Sequence, residues 1–306
     1  MHEESIEPPT DWPRRLAAWL LELVNGLAGR KRLSASSAAE SAALDPEAVE
    51  HARAEAEARW AFRMDGARIG CLLVHGLSST PQSVRWVGEY MAAHGVEVEA
   101  VLLPGHGTTP EDLETTTCMD WYGAVREGMQ RLRPRCDRLF VCGQSMGGAL
   151  ALRAAAHEPV DGVIGLSAFV YLRDWRVQFV PYIKHVMHWR KSIGNDIANP
   201  ETRDEMCYDR LSYSTLEQLI LLGRTVKADL PLVRVPALVI QSRVDHVVPP
   251  DNADYIYDHI ASKDKDMVRL EHSYHVIAMD YEREGVAERC VRFMRRVGYA
   301  EARRAR

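Results

Sequence analysis

One serine stands in a pattern that favours a role as a nucleophile. Residues 143–147 read GQSMG, and they place Ser145 between a predicted buried strand (138–142) and a predicted helix (Met146–His157). A strained turn from strand to helix lifts the serine hydroxyl clear of the backbone, and only small residues fit at its flanks. The pattern therefore predicts a serine nucleophile. The alternative is a glycine-rich turn that only joins the strand to the helix.

A serine hydroxyl is a weak nucleophile, so this interpretation requires a base and an acid that orients the base. Behind a turn of this kind they are expected in the order acid, then histidine, each in a loop after a late strand. Asp245 follows the predicted strand 237–241, and His275 follows the predicted strand 267–270. His272 lies in the same loop, but His275 is favoured because the chain turns back into the domain directly after it.

Asp245 also has a structural alternative. An aspartate after a strand often closes an Asx turn or caps the helix that follows. Asp251 is better placed to cap the predicted helix 252–260, because it directly precedes that helix. Asp245 is therefore the preferred acid.

Acyl transfer also needs N–H donors that stabilise an oxyanion. One candidate is the backbone N–H of Met146, directly after the serine and at the positive end of the predicted helix. The second is the N–H of Leu77, in the loop after the predicted strand 69–75, where Gly76 permits a close approach of the backbone. We interpret His75 as a structural anchor of this loop and not as a second base.

These residues require a sheet that brings the ends of its strands together. From residue 61 onward, short apolar runs alternate with amphipathic helices, which is typical of a largely parallel sheet covered by helices on both faces. The pattern predicts further strands and helices at 96–103, 163–166, 84–94, 121–132, 252–260 and 282–297. We therefore expect an α/β fold with one catalytic domain over residues 61–306.

Residues 1–60 differ from the rest and are expected to form an N-terminal helical extension. Apolar residues recur at helical spacing over 16–27, and the acid and proline at 45–47 are typical of a helix start. Polar residues interrupt the apolar stretch, so it is a poor signal peptide and too short to span a bilayer. Residues 13–30 are candidates for docking on the main domain, for self-association or for peripheral contact with a membrane.

The composition argues against several other classes of function. The net charge of −5 does not favour binding to nucleic acid, and 46 % hydrophobic residues suffice for a large core. Six scattered cysteines without a CxxC pair are typical of reduced thiols and predict a cytoplasmic protein, with association at a membrane surface left open. His185 and His188 have no further ligand nearby in sequence, so we expect no catalytic metal and no cofactor.

Six segments together resemble the α/β-hydrolase superfamily, and more closely its bacterial carboxylesterase and monoacylglycerol lipase group. They are LLVHGLSSTP (72–81), LLPGHGTTPEDL (102–113), DWYGAV (120–125), VCGQSMGGALAL (141–152), SRVDHVVPPDNA (242–253) and SYHVIAMDYERE (273–284). The resemblance implies an α/β-hydrolase fold with Ser145 as nucleophile and Asp245 and His275 as its partners. It also implies that short to medium acyl esters or monoacylglycerols are hydrolysed through an acyl-enzyme.

Members of this group carry a small variable cap, which here corresponds to about residues 169–230 and which we expect to be helical. The segment is rich in aromatic and aliphatic side chains, as expected over an apolar acyl pocket. We expect the pocket to be lined by Gly76, His106, Phe169 and Tyr171. A thioesterase or an acyltransferase would use the same three catalytic residues, and a non-catalytic ligand-binding member of the fold is the alternative from a different class.

Overall fold

Strands and helices alternate along the chain in a computed structural model that describes residues 62–64, 69–192 and 194–304. The strands in these residues are β1 (Phe62–Met64), β2 (Ile69–Val74), β3 (Val96–Val101), β4 (Arg138–Gln144), β5 (Gly162–Leu166), β6 (Trp189–Lys191), β7 (Arg210–Ser212), β8 (Ala237–Ser242) and β9 (Lys265–Leu270). The helices are α1 (Gln82–Ala93), α2 (Pro110–Glu114), α3 (Cys118–Leu132), α4 (Met146–His157), α5 (Val180–Ile183), α6 (Tyr213–Asp229), α7 (Asp251–His259) and α8 (Arg283–Arg304). Most observed ends differ from the predicted ones by a few residues.

Seven strands form one sheet in the order β1-β3-β2-β4-β5-β8-β9. β1 is antiparallel to β3 at one edge, and the other six strands run parallel to one another. The predicted, mostly parallel sheet is therefore confirmed. Because the carboxyl ends of parallel strands meet at the same edge of a sheet, the loops after β2, β4, β8 and β9 lie close together.

Helices cover both faces of the sheet, as the sequence predicts. Side chains alternate between the two faces along β2, where Leu72 and Val74 pack on one side and Cys71 and Leu73 on the other. The first side packs against α3, α4, α6 and α7, and the second against α1 and α8. Both sides of the parallel strands are thus removed from water, which explains their continuous apolar sequence.

Residues 169–230, which we call the cap, lie between β5 and β8 and are less helical than expected. They contain a 3-10 helix (Trp175–Phe179), α5, α6 and the antiparallel pair of β6 and β7. The guanidinium of Arg210 lies 4.8 Å from the ring centre of Trp189 across this strand pair. These two residues are 21 positions apart in the sequence, and no helical or alternating pattern marks the short strands that bring them together. The sequence therefore does not predict the pairing of β6 with β7. The boundaries given to the cap stay a prediction.

The predicted N-terminal helices lie outside the described residues, and so do the predictions of docking, self-association or membrane contact for residues 13–30. The division of the chain at residue 60 therefore also stays a prediction. In the part of the chain that the structure describes, no helix has both the length and the apolar character needed to cross a membrane.

A largely buried carboxylate joins the cap to helix α4. Asp229, the last residue of α6, accepts a hydrogen bond from Arg153 Nη1 at 2.6 Å and faces His157 Nε2 at 2.8 Å. The side chains of Arg153 and Asp229 are 16 % and 12 % exposed, so water screens this pair only weakly. The pair holds α6 against the helix that begins directly after Ser145.

Replacing Asp229 with Ala should lower the free energy of unfolding by about 2–4 kcal/mol, because Arg153 would keep its charge in a largely buried place without its partner. The matched control is Asp264→Ala, which breaks a pair with Arg296 in which both side chains are nearly half exposed. That change should cost about 1 kcal/mol or less. Chemical denaturation measures both values, and equal losses would contradict the role given to Asp229.

Candidate active site

Ser145 occupies a strained turn between β4 and α4. Its backbone has φ 56° and ψ −117°, a conformation that residues with a side chain rarely adopt. A Cβ on Gly143 would lie 2.0 Å from the carbonyl oxygen of Gly147, and a Cβ on Gly147 would lie 2.2 Å from that of Val74. Both flanking positions are therefore closed to any side chain, as the sequence analysis expects of such a turn.

The same turn is fixed by backbone hydrogen bonds to the neighbouring strand and its loop. The N–H of Ser145 donates to the carbonyl of Leu166 at 2.8 Å, and the carbonyl of Ser145 accepts from the N–H of Phe169 at 3.1 Å. The serine itself is half-buried and lines a cavity, so a small molecule can reach it. A rigid backbone and an accessible hydroxyl are what a nucleophile on this turn requires.

His275 and Asp245 form a buried pair at the ends of β9 and β8. His275 Nδ1 lies 2.7 Å from Asp245 Oδ2, and because a carboxylate only accepts, Nδ1 carries the proton. Asp245 Oδ2 also accepts from the Gln241 side-chain amide at 2.8 Å, and Oδ1 accepts from the N–H groups of Val247 and Val248 at 2.9 and 2.8 Å. The imidazole is thereby held in the tautomer that leaves Nε2 available as a base.

The charges of this pair stabilise each other. Burial alone would raise the pKa of Asp245, but the facing His275 and hydrogen bonds from His275 and the backbone lower it overall. Burial alone would lower the pKa of His275, but Asp245, followed by Asp196 and Glu205, raises it above the usual value for histidine. These charges therefore stabilise the imidazolium that forms when His275, as a general base, takes a proton.

Of the two histidines in this loop, the structure brings His275 and not His272 to Asp245. The side chain of His272 is exposed, and its N–H donates to Glu282 Oε2 at 2.9 Å. Asp251 is the first residue of α7 and pairs with Arg173, with 2.7 Å between Arg173 Nη2 and Asp251 Oδ2. Asp251 therefore does not provide the helix cap expected from the sequence, because no side chain donates or accepts a capping hydrogen bond at the start of α7.

Two glutamines near the site were not singled out from the sequence. Gln144, directly before Ser145, donates from Nε2 to the carbonyl of His275 at 2.9 Å. Gln241, at the end of β8, donates to Asp245 as described above. Both side chains are buried at the carboxyl ends of strands. The only signal in the sequence is a polar residue at the end of an apolar strand, and that signal alone does not indicate what the residue contacts.

The loop after β2 approaches the serine closely. A Cβ on Gly76 would lie 3.4 Å from Ser145 Cβ. His75 anchors this loop, because its Nδ1 donates to the carbonyl of Gly76 at 2.8 Å and its Nε2 accepts from the N–H of Leu103 at 3.1 Å. Burial holds the pKa of His75 well below its usual value, so the ring is neutral. Its geometry is that of the structural anchor predicted from the sequence.

The two expected oxyanion donors belong to segments that adjoin Ser145. Leu77 follows Gly76 and lines the same cavity as the serine. Met146 directly follows the serine and is the first residue of α4, a position at which the N–H has no acceptor within the helix. Both N–H groups stay candidates for the oxyanion hole.

A cavity of about 130 Å³ contains Ser145, His275 and two of the four expected pocket residues, Gly76 and Phe169. Apolar side chains from the cap and the adjoining loops complete much of its wall, namely Leu172, Leu211, Leu216, Leu219, Val247 and Val276. The cavity therefore suits the apolar part of a small molecule.

The other two expected pocket residues, His106 and Tyr171, lie elsewhere. His106 is buried with its ring centre 4.9 Å from that of His75, and it borders a separate cleft of about 370 Å³. Burial lowers the pKa of His106 to about 4. The ring of Tyr171 packs edge-on against Tyr255 of α7. Tyr171 stands between Phe169 and Leu172, which line the serine cavity, but Tyr171 itself does not.

Glu205 of the cap provides a carboxylate in the serine cavity that no sequence pattern indicates. Its Oε1 accepts from Ser79 Oγ at 2.8 Å, and its Oε2 lies 3.4 Å from the N–H of Asn195. Burial raises the pKa of Glu205, although the hydrogen bond from Ser79 acts in the opposite direction. The residue lies in an irregular segment without periodicity, so no pattern marked it.

His185 and His188 of the cap do not form a metal site. His188 Nε2 lies 3.0 Å from Glu114 Oε2, and the His188 side chain is exposed. Within residues 62–64, 69–192 and 194–304, no three His, Cys, Asp or Glu side chains are placed to hold a metal ion.

The fold and the site define the class of α/β-hydrolases. A family model described as "Serine aminopeptidase, S33" matches residues 65–282. This match covers well over half of the 306 residues, and it contains the serine turn, the acid and the histidine. The chain therefore belongs to this family of hydrolases.

Relatives with known names support the same assignment. The chain is 40 % identical to the thermostable monoacylglycerol lipase of Bacillus sp. (strain H-257) over 240 residues, which cover 76 % of this chain and 92 % of the lipase. It is 27 % identical to the carboxylesterase of Bacillus subtilis (strain 168) over 241 residues, 78 % of this chain and 97 % of that enzyme. A solved structure described under the metagenome-derived lipolytic enzymes LipS and LipT has a TM-score of 0.75 at 36 % identity, covering 78 % of this chain and 97 % of that one. The resemblance stated from the sequence is confirmed.

Replacing Gly143 with Ala should lower kcat/KM by about a hundredfold, because the added Cβ would displace the turn that positions Ser145. The matched control is Gly123→Ala in α3, where an added Cβ meets no atom within 4 Å. The control should keep full activity and gain up to about 1 kcal/mol in stability from helix propensity. Steady-state kinetics and thermal unfolding measure both effects. Full activity in Gly143→Ala would show that the turn tolerates a side chain and would contradict this account.

Proposed function

We propose that Ser145, His275 and Asp245 are the catalytic triad with which this protein hydrolyses carboxylic esters. The observation that carries the proposal is the 2.7 Å contact between His275 Nδ1 and Asp245 Oδ2 on the wall of the cavity that holds Ser145. The three residues follow three different strands and occur in the order expected for this fold.

In the first half-reaction, Ser145 Oγ attacks the carbonyl carbon of the ester and passes its proton to His275 Nε2. The N–H groups of Leu77 and Met146 donate to the oxyanion of the tetrahedral intermediate. The bond to the alcohol oxygen then breaks, and His275 returns the proton to the leaving alcohol. Asp245 stays ionised throughout and stabilises the imidazolium.

In the second half-reaction, His275 accepts a proton from a water molecule, whose oxygen attacks the carbonyl carbon of the acyl-enzyme. A second tetrahedral intermediate uses the same two N–H donors. It collapses when the bond to Ser145 Oγ breaks and His275 returns the proton to that oxygen. The products are the free acid and the original serine, so the residues of this chain complete the cycle.

The substrate is a small-molecule ester or a lipid. The apolar wall of the cavity suits a short to medium acyl chain, and the relatives are named a monoacylglycerol lipase and a carboxylesterase. Glu205 adds an acceptor for a hydroxyl group of the alcohol part, because its carboxyl group lies on the same cavity. These features favour monoacylglycerols and short to medium acyl esters as substrates.

Replacing Ser145 with Ala should lower kcat on p-nitrophenyl butyrate and on monoacylglycerols by about 10⁴-fold or more, because no other hydroxyl occupies the turn. The matched control is Ser214→Ala in α6, which should keep full activity. A fluorophosphonate should label the unmodified protein at Ser145, as peptide mass spectrometry would show.

Each of these measurements has an outcome that contradicts the proposal. Full activity in Ser145→Ala would remove Ser145 as the nucleophile. An unlabelled Ser145 in a protein without esterase activity would favour the non-catalytic ligand-binding member of the fold. Faster turnover of an acyl thioester, or acyl transfer to an added alcohol, would replace ester hydrolysis by one of the alternatives that use the same triad.

For the N-terminal extension we propose peripheral membrane contact or self-association through residues 13–30, from the amphipathic pattern of the sequence alone. Removing residues 1–33 should then reduce co-sedimentation with liposomes or the apparent size in gel filtration. Hydrolysis of soluble esters should stay the same. Unchanged behaviour in both physical measurements would reject both roles.

A further inference from the structure

A carboxylate from the cap contacts the loops that carry the acid and the base. Asp196 Oδ2 accepts from the N–H of His275 at 3.1 Å and from the N–H of His246 at 3.2 Å. Asp196 Oδ1 lies 2.9 Å from His246 Nδ1, and the carbonyl of Asp196 accepts from the N–H of Val276 at 3.2 Å. Since His246 directly follows Asp245, one carboxylate joins both loops of the triad.

A second carboxylate makes the reciprocal connection. Asp280, in the loop after His275, is fully buried. Its Oδ2 accepts from the N–H groups of Ala198 and Tyr274, each at 2.8 Å, and its Oδ1 accepts from the N–H of Asn199 at 2.9 Å. The cap thus holds the histidine loop through Asp196, and the histidine loop holds the cap through Asp280.

Apolar packing supports the same contact. Ile197, between the two groups of hydrogen bonds, is buried against Val276 and Met279. Residues 195–199, which we call the cap strap, are therefore joined to the histidine loop by side-chain packing as well as by carboxylates. A segment fixed in this way can transmit its position to the main chain of His275.

We propose that Asp196 is a positioning residue for the reaction, which holds the backbone of His275 in place and stabilises the imidazolium that forms when the histidine takes the serine proton. The proposal rests on the assignment of Ser145, His275 and Asp245 as the triad. Asp196 does not line the serine cavity, whereas its neighbour Asn195 does, so its effect should reach the substrate only through His275.

The electrostatic part of the proposal has a definite sign. The charged groups that face His275 are Asp245 from the loop after β8 and Asp196 and Glu205 from the cap, and the titratable His246 adjoins Asp196. Burial lowers the pKa of His275, while Asp245, Asp196 and Glu205 raise it. Loss of the Asp196 charge would therefore lower this pKa, and the neutral imidazole required for catalysis would persist to lower pH.

The test is Asp196→Asn, which keeps the size of the side chain and one acceptor oxygen but removes the charge. We expect kcat on p-nitrophenyl butyrate to fall about tenfold, with KM within about threefold of the unmodified value. The acidic limb of the profile of kcat/KM against pH should move to lower pH by about half a unit or more. Active-site titration with a fluorophosphonate ensures that kcat refers to folded, competent protein.

Controls separate this role from a merely structural one. Asp258→Asn, at an exposed position of α7, should leave kcat and the pH profile unchanged. A His246→Ala variant loses the side-chain contact of Asp196 with His246 but keeps the hydrogen bond from the His275 N–H to Asp196. Adding Asp196→Asn to this variant should therefore still lower kcat and shift the acidic limb. Loss of both effects in that background would show that Asp196 acts only through His246 and would overturn the proposal.

Failure of this proposal is distinguishable from failure of the triad assignment. If Ser145→Ala is inactive and Asp196→Asn has unchanged kcat and an unmoved pH profile, the triad stands and the role of Asp196 is overturned. The same holds if Asp196→Asn only lowers the melting temperature. If Asp196→Asn is too unstable to purify, Asp196→Glu is measured instead. It keeps the charge but displaces it by one methylene, so kcat should fall while the acidic limb stays in place, and an unchanged kcat would overturn the proposal.

Discussion

The backbone conformation of Ser145 is the constraint on which the rest of the site depends. A residue with a side chain at φ 56° is strained by about 1–3 kcal/mol, and it persists only where its surroundings leave no other choice. Here a Cβ at Gly143 or Gly147 would collide with backbone atoms, so β4 and α4 approach more closely than any other residue allows. The burial of the parallel sheet stabilises the fold and so offsets this strain. The turn places Ser145 at the edge of the sheet where β2, β8 and β9 also end.

Buried polar side chains transfer this rigidity from the sheet to the loops. Gln144 and Gln241 stand at the ends of β4 and β8 and donate to the carbonyl of His275 and the carboxylate of Asp245. His75 does the same for the loop that contains Leu77. A buried N–H donor without a partner is costly, so these hydrogen bonds oppose movement of the loops.

The sequence predicts the parts of the site that follow directly from a strand. The end of a buried strand is visible as an apolar run, so the positions of Ser145, Asp245 and His275 relative to the sheet could be inferred from local patterns. Side-chain direction in irregular segments is not visible in this way, so the sequence predicts His106 and Tyr171 on the pocket although their rings pack against His75 and Tyr255 and neither lines the cavity. The role of Asp196 is not predictable from the sequence either, because its partner His275 lies 79 residues further along the chain.

The cap has two tasks, because it shapes the cavity and also contacts the loop of the base. Glu205 and several leucines of the cap shape the cavity, while Asp196, nine residues before Glu205, contacts the backbone of His275. A change that reshapes the cavity by moving the cap strap would therefore also move the base. This coupling restricts how far the cap can vary, because a new substrate preference must be reached without disturbing the contacts of residues 195–199. Leu216 and Leu219 of α6 line the cavity but take no part in the contacts of residues 195–199, so variation in specificity is expected there first.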